Sequence, residues 1–335
     1  MKQKTLLDEE NRLELLSQLG DPLEILNRVI KWEKFRSVLN QGSRKEDTGK
    51  GGRPSYDVVM MFKILVLQRL YNLSDDQTEY QINDRMSFMR FLGINLCEKV
   101  PDAKTIWKFK NDLAETETVD KLFCMFDEHL ENKGLISHKG TIVDAPRQRN
   151  SRDENKKIKN GEIPEEWEKP ENKSKLAQKD IDADWTKKNG ERHFGYKDHV
   201  KCDADSKLIT NYSVTSASVH DSQRCLVFIG QEDEVLYADS AYSGKPIALA
   251  LPENCKNQIC EKGYRNSPLT SEQKMNNRRK SRIRCRIEQI FGFMTGAMHG
   301  ITIRSIGITR AWMNIGITNL VYNFCRYSYL KRASA

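Results

Sequence analysis

Three carboxylates in this 335-residue chain stand in settings where an acid is conspicuous. Asp144 ends the run Gly140-Thr141-Ile142-Val143, and Asp239 ends Glu234-Val235-Leu236-Tyr237-Ala238. Both runs read as short β-strands. Glu288 is the single acidic residue between Lys274 and Ala335, a stretch with twelve Lys or Arg residues. Carboxylates brought side by side repel, and one resists ionising unless cations are shared between them. Hard cations such as Mg²⁺ or Mn²⁺ take oxygen ligands and bind phosphate oxygens well. Two such ions can activate an attacking oxygen and stabilise a leaving oxygen in an in-line displacement at phosphorus. The chemistry open to Asp144, Asp239 and Glu288 is therefore phosphodiester transfer with two bound Mg²⁺ or Mn²⁺ ions.

These residues lie far apart along the chain, so the fold must bring them together. From residue 140 onward the pattern reads strand, strand, strand, helix, strand, helix, strand, helix. Phe194 to Cys202 and Leu208 to Ser216 form a hairpin around Asp203-Ala204-Asp205-Ser206-Lys207. Asp221 to Phe228 is a short helix, Asn257 to Cys260 a short strand, and Ser271 to Met298 and Arg310 to Leu330 are long helices. That is the order of a ribonuclease H-like mixed sheet flanked by helices, in which the first and fourth strands are central neighbours. Strand ends are also where open α/β sheets place their ligands. The helix with Glu288 has apolar residues at Ile283, Ile287, Ile290, Met294 and Met298, a face that can pack on the sheet.

Each acid also has a plainer reading. Asp144 precedes Ala145-Pro146 and could serve a turn, and Asp239 could cap the next helix. Glu288 lies four residues after Arg284, the spacing of a helical salt bridge. Only the three together, in this order, favour a shared metal site. Asp203, Asp205 and Asp221 read as turn and cap residues. His193, Tyr196, Lys197 and His199 share a strand, where His199 reads as a packed histidine.

The N-terminal part is all helical. Leucines recur at helical spacing over 7–38, and residues 40–54 read as a polar, basic loop. Tyr56 to Leu73 is a strongly apolar helix at the centre of a core. Ser74 with Gln77 makes a capping box, and Asp102 caps a helix from Ala103 to Leu113. That helix carries Lys104, Trp107 and Lys108. It suits either a DNA-recognition helix or an ordinary basic helix with Trp107 in the core. The expected domains are 1–135, helical and serving DNA binding and dimerisation, and 136–335, catalytic, with a polar insertion at 147–192. Trp167 and Trp185 read as anchors of that insertion.

The net charge of +8 favours a polyanionic partner. No run is apolar enough for a membrane span, and no signal peptide is visible, so a cytoplasmic, nucleoid-associated protein is expected. The eight cysteines have no zinc-like spacing and read as buried small hydrophobes.

Several blocks carry a family likeness. Gly140 to Ala145, His193 to His199, Thr215 to Ser222, Tyr237 to Gly244 and Arg284 to Gly292 resemble the insertion-sequence-5 family of bacterial DDE transposases. So do Gly52-Arg53-Pro54, Leu73 to Gln77 and Val100 to Trp107. The resemblance spans about residues 50–330. It implies Asp144, Asp239 and Glu288 as the catalytic triad. It also implies cleavage at element ends and transfer of the freed 3′-OH to target DNA. Relatives carry a Tyr-x2-Arg-x3-Glu-x6-Lys signature. Here Arg284 and Glu288 fit it, while Ser281 and Thr295 stand at the Tyr and Lys positions, and Lys280 or Arg282 is left to supply the charge. Double-stranded DNA, as terminal inverted repeats and target, is the expected partner of a homodimer. Lys104, Lys108, Lys197, Arg278, Lys280, Arg282 and Arg284 are the expected DNA contacts. The competing expectation is a catalytically inactive, transposase-derived DNA-binding protein.

Overall fold

In the computed structural model the described residues are 8–43, 55–150, 163, 165–188, 190–300 and 302–333. The Gly52-Arg53-Pro54 block and most of the basic loop lie outside them. The chain is mixed α/β, with a mostly helical N-terminal region followed by a mixed sheet. It divides into two compact units, one of residues 1–122 and 324–335, the other of residues 123–323. The boundary expected at 135/136 thus falls inside the second unit, and the last twelve residues return to the first.

The first unit holds α1 (Asp8–Gln18), α2 (Pro22–Val29), α3 (Arg36–Gly42), α4 (Val58–Leu70), α5 (Asp75–Asp84), α6 (Met86–Leu92) and α7 (Ala103–Glu115). Helix α4 is buried on nearly every side, from Val58 and Val59 through Leu67, as its apolar composition requires. Its start is fixed by Asp57, whose carboxylate accepts from the backbone N–H groups of Val59 and Met60. Trp32, Phe35, Phe62, Phe91 and Phe324 meet mostly edge to face, with Trp32 and Phe324 centroids 5.5 Å apart. The capping box of Ser74 and Gln77 starts α5 as expected. Asp102 caps α7 through the Thr105 N–H at 2.7 Å.

Helix α8 (Thr118–Glu131) leads into the second unit. There follow β1 (Thr141–Asp144), β2 (Arg147–Asn150), α9 (Glu165–Glu168), α10 (Lys173–Leu176), β3 (Asp184–Lys188), β4 (Glu191–Asp203) and β5 (Ile209–Ser216). Next come α11 (Ser222–Phe228), β6 (Val235–Ala238), α12 (Lys245–Ala250), β7 (Lys256–Asn257), α13 (Ser271–Thr295), β8 (Thr302–Ile303) and α14 (Ile308–Ala333). The sheet runs β7-β6-β1-β4-β2-β8, with β3 and β5 also paired to β4. Strands β1, β6 and β7 are mutually parallel, and β4 is antiparallel to β1, β2, β3 and β5.

The stretch 147–192 is therefore more than a polar insertion. Its ends, β2 and β3, pair with the N-terminal half of the long strand β4. After Asp144 the pairing is interrupted for two residues, because Pro146 has no N–H to donate. It resumes at Arg147, and the Pro146 carbonyl accepts from the Asp198 N–H at 3.0 Å. Trp185 packs on Phe194 across β3 and β4, centroids 5.3 Å apart, which anchors this segment.

A core under β1 and β6 joins Val143, Leu236, Ala238, Cys225, Phe228, Tyr242 and Ile247. On the other side Asp198 is fully buried, accepts from the Asn319 amide of α14 at 3.1 Å, and is pushed by burial up to about 7. Four cysteines are buried (202, 225, 255 and 260), whereas Cys97 and Cys124 are exposed, against the expectation of uniform burial. Among the described residues no helix is long and apolar enough to cross a membrane.

Candidate active site

Parallel pairing of β1 with β6 ends at Val143 opposite Ala238, so the next residue on each strand is an acid. Asp144 and Asp239 therefore leave adjacent strands at the same end of the sheet. Helix α13 packs against both strands. It is started by a capping box of Thr270 and Gln273 and turns Ile287, Ile290 and Met294 inward. Glu288, next to Ile287, points to solvent on the side of the strand ends. The expected inward stripe is narrower than predicted, since Ile283 is only half-buried.

Arg284 reaches two of the three acids. One guanidinium nitrogen is 2.7 Å from Glu288 Oε1, and another is 3.6 Å from Asp144 Oδ2. Burial works against the charge of Arg284. The carboxylates of Asp144, then Glu288, and at longer range Asp239, outweigh it and raise its pKa. The helical salt bridge expected as the plain reading of Glu288 is thus present, but it is one arm of a cation shared with a strand-end acid. Asp239 is exposed, and its Oδ1 accepts from the Ser240 N–H at 2.5 Å. Asp144 Oδ1 accepts from the Ala145 N–H at 2.8 Å. The turn and cap roles expected of these two acids are therefore both present. Oxygen donors suit hard divalent ions, but among the described residues these three carboxylates do not all lie within 4.8 Å of one another.

The expected DNA contacts divide. Lys104 and Lys108 on α7 and Arg278 and Arg282 on α13 are exposed. Trp107 is 52% exposed, so it does not serve the core. Lys197 is corrected: it is 5% exposed, donates to the Val219 carbonyl at 2.6 Å and pairs with Asp221 at 2.8 Å, so it presents no surface charge to a phosphate. Lys280 is also engaged, donating to the Ile259 carbonyl at 2.9 Å and facing Glu261 at 3.6 Å. Of the two residues expected to supply the missing charge, Arg282 is the exposed one. Ser281 contacts Cys260, and Thr295 bonds back to the Phe291 carbonyl. Asp221 does not cap α11, because its backbone is already helical and no cap bond forms. His199 is buried, meets Thr215 Oγ1 at 2.8 Å, and is pushed by burial down to about 4, so it is a neutral packed residue as expected.

The sequence reading missed a second group of ionisable residues. Ligand atoms of His138, Glu232 and Asp233 lie within 4.8 Å of one another, beside the N-terminal ends of β1 and β6. A cation is already in place there. Lys201 Nζ is 2.9 Å from Asp233 Oδ2 and 3.6 Å from Glu232 Oε1. Asp233 also accepts from Thr141 Oγ1 at 2.6 Å and from the Gly230 N–H at 2.8 Å. His138 pairs with Glu131 at 2.8 Å. We read the Lys201–Asp233 pair as a buried strut, because its two side chains are 8% and 2% exposed.

Residues 10–112 match a model described as a transposase domain (DUF772), and residues 138–324 match one described as a transposase DDE domain. A structure described as the cryo-EM structure of piggyBac transposase synaptic complex with hairpin DNA is similar at 11% identity. That likeness covers 96% of this chain and 76% of that one, with a TM-score of 0.44. Because the DDE model spans more than half of its residues, with Asp144, Asp239 and Glu288 inside the match, this chain belongs to the transposase DDE domain family.

Proposed function

We propose that this chain is a DNA transposase of the insertion-sequence-5 branch. It cuts a phosphodiester at each element end and joins the freed 3′-OH to target DNA. Asp144, Asp239 and Glu288 are the proposed ligands of two Mg²⁺ or Mn²⁺ ions. The observation that carries this reading is that Arg284 pairs with both Glu288 and the strand-end acid Asp144, while Asp239 ends the neighbouring parallel strand. The sheet order, with β1 and β6 as parallel neighbours and β4 antiparallel to β1, supports a ribonuclease H-like core. When bound, the ions supply the activated oxygen nucleophile and the stabilised leaving oxygen. The protein contributes placement. Asp144 and Asp239 are fixed by strand pairing and by their own backbone bonds, and Glu288 is fixed by the inward face of α13. Arg278 and Arg282 hold phosphates along the same helix, contacts that give affinity rather than sequence choice. The direct test is Mg²⁺-dependent cleavage and joining of a duplex carrying the DNA that borders the coding sequence. Absence of both products from folded protein over a range of Mg²⁺ and Mn²⁺ would discard the reading.

Arg284 competes with metal in this scheme. Arg284→Ala is expected to bind Mn²⁺ about 3- to 10-fold more tightly without DNA, the worth of two partly exposed ion pairs. Calorimetric titration measures it, and unchanged or weaker binding contradicts the competition.

Recognition of the terminal repeats is proposed for α5 and α7, in a protein acting as a homodimer on DNA. On α7, Lys104, Trp107 and Lys108 are exposed while Ile106, Phe109 and Leu113 are buried, so one face is left for DNA. Lys108→Ala is expected to weaken binding evenly across sequences and to lower the salt slope by about one. Trp107→Ala is expected to cost about 1–3 kcal/mol of binding with little change in melting temperature. Fluorescence anisotropy at several salt concentrations reads both.

A further inference from the structure

Strand β4 runs from Glu191 to Asp203, and its two ends have different company. Its C-terminal half lies between β1 and β5, and Gly195 to Lys197 pair with β2. Among the described residues, 191–194 pair only with β3, in the register Trp185↔Phe194, Thr186↔His193, Lys187↔Arg192 and Lys188↔Glu191. The two strands therefore continue past the sheet as a two-stranded arm. Trp185 on Phe194, centroids 5.3 Å apart, stiffens its base.

The arm carries charge that its own fold does not use. Lys187 and Arg192 stand directly opposite each other, so their side chains leave the same face, and both are exposed. Like charges so placed destabilise a strand pair. Neither side chain has an ion-pair or hydrogen-bond partner among the described residues. The adjoining acid, Glu191, is on the other face, where His193 Nε2 is 3.7 Å from its Oε2.

The register also relates this pair to the strand-end acids. Asp144 stands opposite Val200, and Arg192 lies eight positions before Val200 on the same strand. An even step returns a side chain to the same face of the sheet, so Lys187 and Arg192 share the face of Asp144. Because β4 is antiparallel to β1, they also lie beyond the end at which β1 and β6 deliver Asp144 and Asp239. At about 3.4 Å per residue the pair is at most about 27 Å from the row of Asp144. Phosphates repeat every ~3.4 Å along each strand of a duplex, so that reach corresponds to about eight base pairs.

We propose that the β3–β4 arm is a further DNA-contact surface, on which Lys187 and Arg192 together hold the phosphate backbone of a duplex lying across the strand-end acids. The placing of the duplex rests on the proposed cleavage site, whereas backbone binding needs only the arm. Two cations that repel in the bare arm are both satisfied once a phosphate lies between them, and the arginine offers it a forked donor.

The test is fluorescence anisotropy, in EDTA and at several salt concentrations, with a labelled duplex carrying the DNA that borders the coding sequence and with a scrambled duplex. Lys187→Ala is expected to bind both duplexes about 5- to 10-fold more weakly near ~0.1 M salt and to lower the salt slope by about one. Lys187→Glu separates binding from folding. It sets a carboxylate opposite Arg192, so its melting temperature is expected to equal or exceed the parent's, while the salt slope falls by about two. Lys133→Glu makes the same charge change at an exposed residue between α8 and β1, and is expected to bind within about 2-fold of the parent. Parental affinity and salt slope in Lys187→Glu overturn the proposal. So does an equal loss in Lys133→Glu, which makes the effect one of net charge. Should Lys187→Glu fold poorly, Arg192→Gln is expected to show the loss of Lys187→Ala, and parental binding by it overturns the proposal. Arm-dependent binding by a parent that cleaves nothing in Mg²⁺ supports the arm and rejects only the cleavage reading.

Discussion

Asp239→Asn is expected to lower Mg²⁺-dependent cleavage and joining by about 10³-fold while its melting temperature stays near the parent's. The asparagine keeps the oxygen that accepts from the Ser240 N–H, so the turn after β6 is preserved. What disappears is one negative charge at an exposed strand end. A divalent ion is held by charge as much as by shape, and the ion carries the chemistry. Removing that ligand therefore costs more than removing any residue that only positions one. Asp205→Asn is the matched control. Asp205 is an exposed acid paired with Arg286 at 3.0 Å, and its loss is expected to leave cleavage within a few-fold of the parent. Equal activity of Asp239→Asn and the parent would remove Asp239 from the site.

The second large effect concerns stability. Lys201→Ala is expected to destabilise the sheet unit by about 3–5 kcal/mol, a large share of what holds an ordinary domain folded. The Lys201 and Asp233 side chains are 8% and 2% exposed. Removing the ammonium leaves a carboxylate in a dry setting with only Thr141 and the Gly230 N–H as donors. The strut joins β4 to the entry of β6, so its loss loosens the strands that end in Asp144 and Asp239. Urea unfolding checks this, with Asp233→Asn added to Lys201→Ala expected to recover part of the loss. A change below about 1 kcal/mol, the range of exposed ion pairs, would show that the pair is not a buried strut.

Much of this arrangement was legible in the sequence because its signals are local. Ser74 with Gln77 and Asp102 announce helix starts within four residues, and Asp203 announces the hairpin turn, where it accepts from the N–H groups of Asp205 and Ser206. The two strand-end acids follow from apolar runs that stop at a carboxylate. What stayed hidden depends on partners far along the chain. Strands β2 and β3 have no apolar alternation to mark them, and they become strands only by pairing with β4. Lys197 reads as a surface base until Asp221, 24 positions on, folds over it. Lys201 and Asp233 are 32 positions apart, with nothing between them to suggest a pair. Trp107 sits beside Ile106 in a helix whose apolar period leaves its direction open, and only packing shows that it faces out.

The place of Phe324 in the aromatic cluster with Trp32, Phe35 and Phe62 has a consequence for biosynthesis. The helices are made before Phe324, so their unit lacks a central side chain until the intervening residues 123–323 have been made as well. The proposed recognition helices therefore mature late, and a prematurely terminated product carries them on an open, incomplete core.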